Sequence, residues 1–125
     1  MPSTTLAPEA NLTVLVGRLI RPPDRRTLPS GETVLGLEVA VQPGDGPNDS
    51  VNVAWYGAPV AAERWLDGEQ ILVTGRTRRR FFRVGGVTQS RTEVVATLAV
   101  PTRRAAAVRS ALEAAAGEIL DVLDP

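Results

Sequence analysis

The chain contains neither cysteine nor histidine, and those two absences remove most of the common site chemistries. Without thiols there is no disulfide and no cysteine nucleophile. Without imidazole the usual zinc sets and the usual general base at neutral pH are gone. Lysine is missing as well: all 14 basic residues are arginine, balanced by 14 Asp and Glu. That excludes a lysine Schiff base and a phosphate loop of the Walker kind. Aromatic residues are few, with two Trp, one Tyr and two Phe in 125 residues. No apolar run approaches the roughly 20 residues that span a bilayer. The N-terminus carries Pro2 and Pro8 but no basic segment followed by an apolar one, so no secretory signal is expected and a cytoplasmic location is the default. Scattered carboxylates and hydroxyls are the only catalytic material left. No enzyme activity, cofactor or metal is expected.

What is present is concentrated. Arg76 to Arg83 reads Arg-Thr-Arg-Arg-Arg-Phe-Phe-Arg, five arginines and two phenylalanines without an acid, directly after the apolar run Ile71-Leu72-Val73. As a continuing β-strand it places Arg76, Arg78, Arg80 and Phe82 on one face. A row of guanidinium groups can follow a phosphate backbone, and a ring beside them can stack on a base. The plainer reading is a charged edge strand protected from aggregation. Three arginines ending in an aromatic, in a chain of zero net charge, favour nucleic acid. Arginine suits that role because it binds phosphate bidentately and stacks on bases, although GC-rich coding also favours arginine over lysine.

At this length one domain with a conventional core is expected. Residues 1–10 are rich in Pro, Ala, Ser and Thr and read as a flexible arm. Leu12 to Leu19 is a first strand, apolar on both faces. Breaker clusters Arg21-Pro-Pro-Asp24 and Leu28-Pro-Ser-Gly31 bound a loop. Thr33 to Val41 is a second strand with Leu35, Leu37, Val39 and Val41 on one face, and Ser50 to Tyr56 a third with Val51, Val53 and Trp55 inward. Pro59 to Leu66 reads as one short helix, with Pro at its start and Gly68 past its end. Glu69 to Phe82 and Val87 to Val100 form a hairpin about Gly85-Gly86. Three strands, a short helix and two strands is the order of a five-stranded OB-fold barrel, an all-β class, with the helix between strands three and four. Trp65 and Trp55 are read as core. Residues 101–125 form a C-terminal amphipathic helix whose stripe is Val108, Leu112, Ala116, Ile119 and Leu123. Its arginines lie near its start and its acids near its end, which opposes the helix dipole, so packing must hold it.

Local wording then points to a family. Asn11-Leu-Thr-Val-Leu-Val-Gly-Arg-Leu19, Pro23-Asp-Arg-Arg26, Val53-Ala-Trp-Tyr-Gly57, Arg64-Trp-Leu66, Leu72-Val-Thr-Gly-Arg76 and Thr92-Glu-Val-Val-Ala96 occur in an order that resembles bacterial single-stranded DNA-binding proteins (SSB) over residues 11–100. The resemblance implies a sequence-tolerant, non-catalytic binder of exposed single strands in replication, repair or recombination, usually a homotetramer. By position it implies strand-binding roles for Tyr56, Phe82, Arg78, Arg80 and Arg26, and the same tract adds Arg76 and Arg83. Asn52 stands where a basic residue is common. Phe81 is offset onto the other face, either core or exposed.

Departures from the resemblance are specific. The approximate positions of two tryptophan platforms hold Asp45 and Ser50, and Asp67 follows the short helix where positive charge is expected. The barrel is nearly neutral, so a shallower salt dependence is expected than for typical relatives. The end, Asp121-Val-Leu-Asp-Pro125, is not the acidic tip through which relatives recruit other proteins. An accessory SSB is therefore expected, with RNA also open as a ligand. The alternative is an SSB-derived oligomeric OB-fold adaptor, like the primosomal protein PriB, acting mainly through protein partners. Glu38 and Glu93 are expected to pair with arginines, and the Asp45-Gly-Pro-Asn-Asp49 loop to be a plain acidic turn, since its spacing does not fit an EF-hand.

Overall fold

The computed structural model describes residues 8–124; the greater part of the N-terminal arm and Pro125 lie outside them. Six strands are present: β1 (Thr13–Leu19), β2 (Asp24–Thr27), β3 (Thr33–Val41), β4 (Asp49–Tyr56), β5 (Gln70–Val84) and β6 (Val87–Pro101), followed by helix α1 (Ala105–Leu123). They pair in the order β1-β5-β6-β4-β3-β2, and β1 also pairs with β3 through Arg18↔Ala40 and Leu19↔Val39. Five strands thus form a ring of pairings with β2 outside it. Among the described residues the one parallel pairing is β4 with β6. This mostly β arrangement is consistent with an OB-fold.

Alternation explains the core. Leu35, Leu37 and Val39 of β3, Val53 and Trp55 of β4, Ile71 and Val73 of β5, and Val94 and Ala96 of β6 point to one buried cluster. Trp55 and Trp65 meet there with ring centroids 5.9 Å apart, so both tryptophans are core residues, as expected from their place in the pattern.

Three expectations need correction. Among the described residues there are six strands and not five: the segment read as a loop contains β2, which pairs with β3 from Asp24↔Gly36 to Thr27↔Thr33. Backbone pairing and the Arg25 side chain hold this wholly polar strand. Arg25 Nε donates to Glu63 at 2.5 Å and its Nη2 to the Ala58 carbonyl at 3.1 Å. Second, the helix expected at Pro59 to Leu66 is shorter, a five-residue 3₁₀ helix at Val60–Arg64. Its chain turns extended at Trp65 (φ −64°, ψ 144°), which directs that ring into the core and stops propagation.

The third concerns α1, whose apolar stripe is only half used. Ala111 packs with Leu72 and Val100, flanked by Ala107 and Val108, and Ala115 is also buried. Leu112, Ala116 and Leu123 lie one step around the helix and are exposed. The helix has no acid in its first turn, no base in its last and no side-chain N-cap, so this packing and the Arg103–Glu69 ion pair anchor it. Gly117 lies mid-helix, and a Cβ there would meet nothing within 4 Å. Gly117→Ala is expected to raise stability by about 1 kcal/mol in a urea titration. A loss instead would show that this helix face is covered in solution.

Candidate nucleic-acid interface

β1 accompanies β5 only as far as Thr13↔Gly75. Beyond that point the Asn11 side chain bonds both backbone groups of Thr77, accepting from its N–H at 3.1 Å and donating to its carbonyl at 2.6 Å. After Thr77, β5 pairs only with β6 among the described residues, in register from Arg78↔Glu93 to Val84↔Val87. The hairpin therefore leaves the ring as a two-stranded arm. Gly85 and Gly86 turn it with φ of 59° and 81°, the positive pair that a two-residue I′ turn requires.

At the foot of the arm a groove of about 340 Å³ runs over β2, β3, β4, β5 and β6. Of the sequence-predicted residues it brings together Arg26, Asn52, Tyr56 and Arg80. Arg78 joins them through contact: its Nη2 donates to the Tyr56 hydroxyl at 2.9 Å and to Glu93 at 2.9 Å, and its Nε to the same carboxylate oxygen at 3.2 Å. Hydrogen bonding, first to Tyr56 and then to Glu93, raises the Arg78 pKa above its ordinary value, so this guanidinium stays charged at every working pH. Phe82 continues the same strand face onto the arm, with the Arg91 guanidinium 5.9 Å from its ring centroid. Arg76 is on that face too, exposed, but on the far side of Arg78 from the groove. Arg83 belongs to the opposite face, where its Nη2 donates to the Gly86 carbonyl at 2.6 Å. Phe81 is also there and exposed, so the core alternative for it falls.

Electrostatically the groove is divided. Three of its carboxylates each face an arginine: Asp24 with Arg26 at 3.6 Å, Glu38 with Arg21 at 2.8 Å and Glu93 with Arg78. Glu38 and Glu93 thus pair as expected. Arg80 and Arg91 make no ion pair among the described residues and sit opposite each other in register. They are the arginines of the groove lining that no carboxylate neutralises among the described residues. Sequence reasoning missed Arg91, although counting outward from Gly85-Gly86 places it across from Arg80. It also missed Arg21, which lies in the breaker segment before β2.

Residues 10–101 match the model of the single-strand binding protein family. The chain belongs to that family. None of the curated proteins matches it. Membership in the SSB family supports single-stranded DNA binding in general, and the groove and arm are where this SSB domain gathers arginine and aromatic side chains.

Arg78 is bound to a buried carboxylate, which alters what its removal should do. Arg78→Ala is expected to leave the salt dependence of strand binding unchanged, because a paired guanidinium releases few counterions. It should instead weaken binding a few-fold through a loosened Tyr56, and cost about 1–2 kcal/mol of stability by stripping Glu93 of its partner. A salt slope reduced by about 0.7 would show that Arg78 contacts phosphate directly.

Proposed function

We propose that the protein is a sequence-tolerant single-stranded DNA binder that protects exposed strands in replication, repair or recombination as an accessory SSB. Its ring of strands acts as a closed OB barrel (residues 11–100), assembled into a homo-oligomer, a tetramer by analogy with the family. The observation that carries this reading is the continuity of the groove with the arm: Tyr56, Arg78, Arg80, Arg91 and Phe82 form one surface of alternating charge and ring, without a free acid. A strand would lie along it with bases stacked on Tyr56 and Phe82. Phosphates would track Arg80 and Arg91, with Arg26 and Asn52 at the β2 side and Arg76 and Arg83 at the periphery.

Fluorescence anisotropy of labelled oligo-dT against matched duplex, at two salt concentrations, tests it. The expected result is salt-sensitive binding of the single strand alone, with fewer phosphate contacts than a strongly basic barrel would make. A second reading, the SSB-derived adaptor, draws on the exposed apolar residues Val14 and Val16 on β1 and Leu112, Leu120 and Leu123 on α1. No preference for the single strand in that titration would sink the first reading and favour the second.

A further inference from the structure

The arm has a second face that the groove does not use. Arg79, Phe81 and Arg83 alternate with the groove-side residues and therefore point the other way, beside Thr92, Ser90 and Thr88 of β6. Phe81 is 65% exposed, and the Arg79 guanidinium stands 6.0 Å from its ring centroid. Arg79 and Arg83 make no ion pair among the described residues. From Arg76 to Thr92 the arm contains no carboxylate at all.

Protection of an exposed strand edge accounts for the charge but not for the ring, because a solvated edge gains nothing from an uncovered phenylalanine. Core packing accounts for neither. A stacking platform between two arginines about 13 Å apart along the strand fits a polyanion that carries flat apolar rings. Small hydroxyls at Thr88, Ser90 and Thr92 leave room beside Phe81 and can donate to phosphate or sugar oxygens.

We propose that this reverse face is a second single-strand-binding surface. One base stacks on Phe81 while Arg79 and Arg83 hold flanking phosphates, so a strand that leaves the groove folds over the arm and is gripped on both sides. The proposal rests on the single-strand reading above and extends it from one surface to two. It also gives the short groove a means of holding a longer segment.

The test is oligo-dT binding at two lengths, about 8 and about 30 nucleotides, the shorter within the span of one OB-fold. The variants are Phe81→Ala and Arg79→Ala. Both alter exposed side chains, and unchanged circular dichroism checks that the fold is intact. Affinity for the short strand should stay within about twofold, whereas affinity for the long strand should fall at least about fivefold and the occluded length should shrink. Equal losses at both lengths would overturn the proposal by placing Phe81 on the primary path. No loss at either length would overturn it by showing a face that does not bind. A change in oligomeric mass on sedimentation would overturn it by showing a subunit or protein contact. If the unaltered protein binds neither oligomer, the single-strand reading itself fails; if it binds and the variants match it, only the second surface fails.

Discussion

Gly75→Ala is expected to lower unfolding stability by roughly 3 kcal/mol, a large share of what a domain of this size holds. A Cβ at Gly75 would lie 2.1 Å from the Val95 carbonyl oxygen and 2.9 Å from the Ala96 Cα. Both neighbours are backbone, so no flexible side chain can swing aside. They cannot retreat easily either. Val73, Val94 and Ala96 around this point belong to the central core cluster. The close approach has a visible cause: the register steps from Thr74↔Leu98 to Gly75↔Ala96, so Thr97 has no partner and β6 bulges toward β5. Bulges bend strands and increase their twist, and this one lies where the arm begins. Gly75→Ala should therefore also redirect the arm and weaken strand binding beyond the stability loss. The measurement is a urea midpoint, with Gly46→Ala as control, since a Cβ there approaches nothing nearer than the Pro43 carbonyl at 3.6 Å. A loss below about 1 kcal/mol would mean that the bulge can relax.

How far the sequence led depends on where each signal is stored. Alternation is local, so the strands around Leu35, Val53, Ile71 and Val94, and the inward turn of both tryptophans, could be read directly. The Gly85-Gly86 turn sets the register of the arm and with it the pairing of Arg80 with Arg91. β2 was not legible: Asp24-Arg-Arg-Thr27 has no apolar residue, and its strand geometry comes from β3 and from Arg25 reaching across to Glu63. The Arg78–Glu93–Tyr56 contact depends on three strands meeting, which no single stretch encodes. Helix α1 illustrates a different limit. Its apolar residues span a stripe broad enough for two surfaces, and spacing cannot say that Ala111 and Ala115 dock while Leu112 and Leu123 stay outside. Small side chains face the sheet because they allow the helix to approach Leu72 and Val100 closely, a preference that hydrophobicity alone does not carry.

Removing Arg80 and Arg91 together should affect strand binding in a way that removing Phe82 does not. If each arginine meets one phosphate, the double alanine variant loses about 1.4 from the salt slope and about 25-fold in affinity near 0.1 M salt. Phe82→Ala should cost about 1–3 kcal/mol, because one base loses its platform, while the slope stays where it was. The distinction is physical: bound phosphates release condensed cations and stacked bases do not. The two effects are also coupled, since the Arg91 guanidinium stands over the Phe82 ring. Without the ring, Arg91 can swing toward solvent; without Arg91, the ring loses a cation–π partner worth about 0.5–1 kcal/mol at an exposed site. The triple variant should accordingly lose less than the sum of the two. Phe82 is half-buried on the arm and outside the central cluster, so the alanine variant should remain folded. If it unfolds, the ring is structural. If the Arg80 and Arg91 variant keeps its slope, the strand does not follow the groove edge, and the phosphate path must be sought elsewhere on the arm.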